Sequence, residues 1–290
     1  MLIIMMSQKT LVSVLMCSHN AGKYIQQTIQ SVLQQSYSHF EFIILDNNSS
    51  DQTVSIIESF SDKRIKLLKS KKNIWPYWWL NMLLEQSQWE YIAIQDHDDI
   101  RHPEKIQKQV DFLENNSSYI GCGTNTLMWY ESDRKGFEYF LGEKNYYSIH
   151  PSLMFRNQKE YRYPEDRLYM NDAFFQKKIL CSGQKKIYNI NQVLTLHRIH
   201  TGTKNLSYKR FSYTWKNIET MLYVHPLWYA ICALVIETIR RCIYPFLIYS
   251  KKYRLINTIE RLPFVLQWKK IKHYSDDSLK KLGFINEGLV

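Results

Sequence analysis

The run Gln95-Asp96-His97-Asp98-Asp99 crowds three carboxylates into one short stretch, just past an apolar, β-branched segment. Like charges this close repel unless something positive sits among them, and hard oxygen ligands suit Mg2+ or Mn2+. Such a cation binds best when it is shared with a diphosphate. The plainer reading is an acidic turn that caps the helix announced by Pro103. A second polar cluster, Asp46-Asn47-Asn48-Ser49-Ser50-Asp51, follows another apolar run. Asp46, at the end of that run, is the better ligand candidate, whereas Asp51 is placed to cap the next helix.

Hydrophobic periodicity predicts the elements that must hold these clusters. Residues 11–16 (LVSVLM) read as a buried strand, and past the Asn20-Ala-Gly turn Ile25, Ile29, Val32 and Leu33 recur at helical spacing. Residues 40–45 form a second strand, 53–60 a short helix, 65–68 a third strand, 77–86 a helix and 91–95 a fourth strand. Alternating strands and helices predict an α/β, Rossmann-like, mostly parallel sheet with helices on both faces and a ligand crevice at the carboxyl ends of its strands. Both polar clusters fall at such ends. Pro103 is expected as the first residue of a helix whose stripe, Ile106, Val110 and Leu113, runs to Asn115. Between Tyr119 and His200, strand-like pieces at 152–155 and 193–196 surround one helix near 172–180.

With 290 residues, 45% hydrophobic, the chain can bury a core as one large or two unequal domains, so disorder is not the default reading. Its net charge of +11 favours phosphates, nucleic acid or an anionic membrane surface. The five cysteines, Cys17, Cys122, Cys181, Cys232 and Cys242, show no C-x-x-C pairing, which argues against a zinc site or a secreted disulfide framework. Residues 2–6 are too short an apolar run, with no basic lead, for a signal peptide. These features predict a reduced, cytoplasmic-side protein with an N-terminal segment at 1–10, an α/β domain at 11–207 and a helical, basic extension at 208–290.

The ordered series of motifs resembles the inverting family 2 glycosyltransferases of the GT-A fold over most of residues 11–207. LVSVLMCSHN with GKYIQQTIQSVLQQSY is similar to the family's opening strand and helix, and FEFIILDNNSSDQT to its nucleotide-binding strand and turn. EYIAIQDHDDIRHPEKIQKQVDFL resembles the metal-binding strand and the helix after it. SIHPSLMFR, YMNDAFFQKKI and VLTLHRIHTGTKNLS resemble the acceptor-side strand, catalytic helix and closing segment. The resemblance implies that Asp46 contacts the nucleotide base, Asp96 the ribose or metal region, and Asp98 a Mn2+ or Mg2+ bridging the donor diphosphate. Asp99 would support that turn. Asp172 matches the general base that takes a proton from the acceptor hydroxyl, and His200 lies near the diphosphate. A helix cap at Asp172 and a structural loop histidine at His200 are the plainer alternatives.

The residue types suit that chemistry independently. Displacing a nucleoside diphosphate builds negative charge that a divalent cation stabilises, and one carboxylate base on the opposite face of an oxocarbenium-like sugar gives inversion. Departures occur in NIWPYWWLN, where Trp75 stands in place of the usual glycine and Leu80 precedes Asn81, and at Asn171, where the family commonly carries an acidic residue. Trp75, Trp78 and Trp79 either reshape the sugar pocket or pack in the core, and core packing is expected of at least two.

The reading is therefore a metal-dependent transferase that takes a nucleoside-diphosphate sugar, a UDP-sugar first, to a glycan or glycolipid acceptor, a polyprenyl-linked surface-polysaccharide precursor above others. The alternatives are a nucleotidyltransferase and a catalytically inactive GT-A-like binding protein. Nucleic acid is not an expected partner, since only net charge speaks for it, and no G-x-G-x-x-G follows the first strand to suggest a dinucleotide. Residues 220–236 carry no Lys, Arg, Asp or Glu, and from Lys204 onward 15 Lys/Arg face 6 Asp/Glu. This predicts peripheral docking on an anionic membrane, at the cytoplasmic face of the inner membrane, by helices lying in the interface.

Overall fold

Apolar runs that are buried on both faces become the central strands of a layered sheet. The computed structural model describes residues 10–74, 76–139, 142, 144–167, 170–200, 215–224, single positions between 227 and 250, and 273–284. In it β1 (Val12–Ser18) and β2 (Phe40–Asp46) are buried along their whole length. With β3 (Ile65–Lys69) and β4 (Tyr91–Asp96) they form a parallel half in the order β3-β2-β1-β4. On one face α1 (Ile25–Leu33) and α4 (Lys105–Asn115) press Ile25, Ile29, Val32, Ile106, Val110 and Leu113 against Val12, Val14 and Met16. On the other, Leu80, Leu83 and Leu84 of α3 (Pro76–Gln86) meet Leu15, Ile43 and Ile94. The remaining crossover helix is α2 (Thr53–Glu58). The period-two alternation along β1 thus assigns its side chains to two helical layers, as predicted.

The second half is mixed. β5 (Ile100–Arg101) pairs antiparallel with β10 (Lys186–Ile199), and β10 runs parallel to β6 (Tyr119–Tyr130). β7 (Lys135–Tyr139) and β9 (Met154–Arg156) flank β6 antiparallel, β9 also pairs with β4, and β8 (Lys144–Asn145) pairs with β10. The piece read at 193–196 is thus a fragment of a 14-residue strand, and that at 152–155 divides into a helical turn at His150–Ser152 followed by β9. Pro103 does not open α4. Glu104 is the N-cap, and the Pro103 carbonyl instead accepts the Ser36 N–H at 2.9 Å. Trp78 is 49% exposed and Trp79 packs partly against the core, so core packing holds for one of these two tryptophans; Trp75 lies outside the described residues.

Helix α5 (Asn171–Phe174) continues as a π-helical stretch, Phe175–Leu180. Helix α6 (Trp215–Val224) docks on it. The Lys177 ammonium donates to the carbonyls of Tyr223 and Val224 at 2.8 and 3.2 Å, where the negative end of the α6 dipole lies. Arg167 donates to the Thr220 hydroxyl at 3.0 Å. Farther along, β11 (His273–Tyr274) adds antiparallel to β7. Leu279 of α7 (Asp276–Lys281) and Phe284 then pack with Ile100, Leu127, Trp129 and Leu196. Residues 273–284, within the stretch read as an extension, therefore build part of the α/β domain's core. The N-terminal segment 1–9 and much of 208–290 lie outside the described residues, among which no helix is long and apolar enough to cross a membrane.

Truncating Leu279 to Ala should lower stability by about 2–5 kcal/mol, the range for opening a cavity in a packed core. Urea denaturation should show a lower midpoint for the whole cooperative transition. An unchanged midpoint would mean that this return segment is not part of the domain.

Candidate active site

The parallel register aligns Ser18 with Asp46 and Cys17 with Asp96, so the carboxyl ends of β1, β2 and β4 lie side by side, where a ligand crevice is expected in such a sheet. Asp46 is buried; its carboxylate accepts the Ser49 N–H at 3.0 Å and the Ser49 hydroxyl at 2.6 Å. Asn20 and Asn48 both take left-handed backbone angles, φ 48° and 60°, a conformation asparagine tolerates. Asn20 Oδ1 accepts the Ser50 N–H at 2.9 Å and joins the loops after β1 and β2. Asp51 precedes the N-cap position, held by Gln52, and its carboxylate accepts from Thr53 and Gly22 N–H groups at 3.0 and 2.9 Å. Asp46 thus acts first on its own loop.

The acidic turn after β4 is built from behind. The Gln95 side-chain amide donates to the carbonyls of Asp96 and Asp99 at 2.8 and 3.0 Å, and its oxygen accepts from the Arg101 guanidinium. Arg101 is buried and also donates to the Ile94 carbonyl; burial brings its pKa down to about 9, opposed by the charges of Asp96 and Asp99. Its Nη1 is buried without a hydrogen-bond partner among the described residues, which the nearby carboxylate charges make tolerable. At the first residue of α4, the buried Lys105 ammonium donates to the Pro151 carbonyl at 2.7 Å, its pKa well below the usual range because of burial and then of Arg101. The stripe read from Ile106, Val110 and Leu113 missed both cations.

The three carboxylates have three different environments. Asp99 is fully buried; one oxygen lies 2.8 Å from His197 Nδ1 and the other accepts the Arg198 N–H at 2.8 Å. Burial raises its pKa to about 6, against the pull of His197. For His197 burial works downward, but the charge and hydrogen bond of Asp99, with Asp96 and Asp98 beyond, raise it to about 9. Asp98 has one oxygen 2.8 Å from His200 Nε2. Burial pushes its pKa up, but the His200 hydrogen bond and the imidazoles of His97 and His197 outweigh it and hold the carboxyl well below the usual range. Asp96 is the open one, its side chain 36% exposed, with one oxygen 3.9 Å from His150 Nδ1.

Carboxylate oxygens of Asp96 and Asp99 and a ring nitrogen of His197 lie within 4.8 Å of one another, a set of hard oxygen and imidazole donors that fits Mn2+ or Mg2+. Both Asp99 oxygens are already engaged, Asp96 is the open carboxylate of this set, and Asp98, read in the sequence as the metal ligand, is not among its members. His200 reaches the acidic turn, with Nε2 2.8 Å from an Asp98 oxygen. His197 and Gln95 were not singled out in the sequence, although His197 stands three residues before His200 in the same closing segment.

Asp172 is the second residue of α5, whose N-cap is Met170 in a left-handed conformation at φ 50°, and no side chain caps that end. The plainer role of helix cap is thus not the one Asp172 fills. The departure at Asn171 has a local reason. Its buried amide donates to the carbonyls of Pro164 and Arg167, bonds that an ionised carboxylate could not make. Asn81 is buried too and brackets the Tyr163 backbone, accepting its N–H at 2.8 Å and donating to its carbonyl at 3.0 Å. The charges of Asp172 and Asp96 both bear on the buried Tyr163 phenol.

The fold and this site define a GT-A glycosyltransferase. The chain belongs to the family described as Glycosyl transferase family 2, whose model matches residues 13–189. It is 31% identical over 214 residues to an uncharacterized glycosyltransferase of Haemophilus influenzae, covering 66% of each chain. It is 38% identical over 111 residues to the Escherichia coli UDP-Glc:alpha-D-GlcNAc-diphosphoundecaprenol beta-1,3-glucosyltransferase WfgD, covering 38% of this chain and 44% of that one. Among solved structures, S. aureus TarS 1-349 in complex with UDP-GlcNAc matches at a TM-score of 0.61 and 20% identity, over 73% of this chain and 65% of that one. The mannosyltransferase PcManGT of Pyrobaculum calidifontis, in complex with GDP-Man and Mn2+, matches at 0.59 and 13% identity over 89% and 86%. At these identities the structural likeness shows the fold alone.

Gln95→Leu keeps the volume but leaves the Arg101 guanidinium and two buried carbonyls short of partners. It should cost on the order of 3 kcal/mol and lower the melting temperature. A melting temperature equal to that of the parent would show that the turn does not depend on this amide.

Proposed function

We propose that this chain is a metal-dependent inverting transferase that moves a sugar from a UDP-sugar to a polyprenyl-linked glycan precursor of a surface polysaccharide. The observation that carries this reading is the open Asp96 and the His200-bound Asp98 at the end of β4, with the charges of Asp172 and Asp96 both felt at the buried Tyr163 phenol. A divalent cation on Asp96 and Asp98 would supply charge neutralisation to the leaving diphosphate. The loop folded by Asp46 faces the nucleotide, and His200 holds Asp98 beside the diphosphate. Asp172 accepts the acceptor hydroxyl's proton as that oxygen bonds to the anomeric carbon. The bond from that carbon to the phosphate oxygen breaks, and the nucleoside diphosphate departs with its electron pair. Support for the donor class comes from the names of TarS and WfgD partners, UDP-GlcNAc and UDP-Glc, and for the acceptor from the diphosphoundecaprenol in the latter's name.

Two variants test this. Asp98→Ala should abolish Mn2+-dependent binding of UDP in calorimetry. Asp172→Asn should bind UDP as the parent does yet turn over about 10²–10⁴-fold more slowly, the usual worth of a general base. Undiminished metal-dependent binding in the first, parental turnover in the second, or release of pyrophosphate in place of UDP would overturn the assignment.

The same reading places the enzyme at the cytoplasmic face of a membrane. It is supported by Leu227, Ile231, Val235, Ile239, Ile243 and Phe246, helical positions that repeat every three or four residues and are each 39–66% exposed. Such a line of apolar side chains, in a region carrying 15 Lys/Arg against 6 Asp/Glu from Lys204 onward, suits an anionic bilayer. The protein should float with anionic liposomes, less so in high salt. Ile231→Asp with Ile239→Asp should abolish flotation. Equal flotation with neutral liposomes, or none at all, would rule this docking out.

A further inference from the structure

Tyr24 occupies the N-cap position of α1, where its N–H donates to the Ala21 carbonyl at 2.9 Å. Ile25 and Ile29, next on that helix, enter the apolar layer against β1. The Tyr24 ring meets the end of β10. Its centroid is 4.7 Å from that of the His200 imidazole, with 34° between the planes, and the Arg198 guanidinium carbon lies 4.7 Å from the same ring. Each of these two neighbours also answers one carboxylate of the acidic turn. The Arg198 N–H donates to Asp99 at 2.8 Å, and His200 Nε2 lies 2.8 Å from Asp98 Oδ2. Two links between β10 and the turn therefore rest against one aromatic side chain.

That side chain is itself tied down. Tyr24 is buried, and its hydroxyl donates to Glu131 Oε2 at 2.7 Å. Glu131 Oε1 accepts from the Lys23 ammonium at 2.8 Å, and the Glu131 N–H donates to the Ile199 carbonyl at 3.1 Å, which fixes this carboxylate to the strand end that leads into His200. Burial pushes the Glu131 pKa up, but the hydrogen bonds of Lys23 and Tyr24 outweigh it and bring it below the usual value. Packing alone asks only for an apolar ring, whereas a buried phenol also needs a polar partner, and Glu131 meets that need.

A hydrogen bond to Asp98 holds one nitrogen of the His200 imidazole and leaves its plane free to turn, since χ2 of histidine has broad, roughly two-fold wells. A second contact on the ring removes that freedom, and Tyr24 supplies one. We propose that Tyr24 is a positioning residue of the donor site: its ring keeps the His200 imidazole seated on Asp98, and the Glu131 carboxylate, held by Lys23, keeps that ring in place. The inference rests on the reading of Asp98 and His200 as the diphosphate side of the site.

Calorimetry of UDP binding in the presence of Mn2+, on the full chain, tests this by a double-mutant cycle. Tyr24→Leu should weaken binding about tenfold, and Tyr24→Phe, which keeps the ring, should recover most of that loss. Glu131→Ala, at a side chain 36% exposed, should cost about threefold. In a His200→Ala background each of these substitutions should change the affinity by less than about twofold, because its effect passes through the imidazole. A residue that only packs would cost the same in both backgrounds. Melting temperatures close to the parent's establish that the variants are folded, and if Tyr24→Leu does not fold, Glu131→Ala in the two backgrounds carries the test. Parental affinity in the folded variants, no recovery in Tyr24→Phe, or equal losses with and without His200 would overturn the proposal and leave the donor reading standing. Parental affinity in His200→Ala would remove His200 from the donor site, and a parent that bound no UDP would end the nucleotide-sugar reading; either result takes this inference with it.

Discussion

Asp96, Asp98 and Asp99 share one turn, and bringing three carboxylates that close costs electrostatic energy unless each is answered separately. Asp99 is answered by His197 and the Arg198 N–H, Asp98 by His200, and Arg101 lies buried behind the turn. These partners come from β5 and from β10 and its end, so the antiparallel pairing of β5 with β10 is what brings them to the acid. The mixed half of the sheet is thus arranged around the charge at the end of the parallel half. One carboxylate, Asp96, is left open, and the site's capacity for ligand is concentrated there.

The acceptor side follows a different logic, that of aromatic packing. Tyr77, Tyr163 and Phe175 stack in sequence, and Phe155 meets Phe175 at 69°. Stacks of this kind add directional preference to burial. They tie the helix that carries Asp172 to α3 and β9 without placing a charge between them. Asn81 and Asn171, both buried, hold the backbone on either side of this stack through bonds that only an amide makes on both its atoms or with its donor end.

The parallel half was legible because strands β1, β2 and β4 are unbroken apolar runs and α1 and α4 carry clear helical stripes. The second half was not. β6 buries Thr124, Asn125 and Thr126 in mid-strand, and β10 is interrupted by Asn189 and Asn191, so neither shows a period-two pattern. Within the site, Asp96, Asp98, Asp172 and His200 stood out by motif. The groups that make the acidic turn possible did not, because a buried Arg101 and Lys105 look in a sequence like ordinary surface cations at the start of a helix. Asp46 was read as a ligand from its position at a strand end, and only the three-dimensional loop reveals that its oxygens are engaged by Ser49.

The back wall of the acidic turn has a consequence for synthesis. Ile100 lies directly beyond the aspartates, yet its packing partners include Leu279 and Phe284, about 180 residues later in the chain. Contacts this distant in sequence close late, because their loop entropy must be overcome before they contribute. On the ribosome the parallel half can assemble as soon as β4 emerges, while Ile100 waits for α7. A nascent chain would therefore carry its carboxylates in a turn with an unfinished floor, and the transferase would mature only when residues 273–284 reach the sheet.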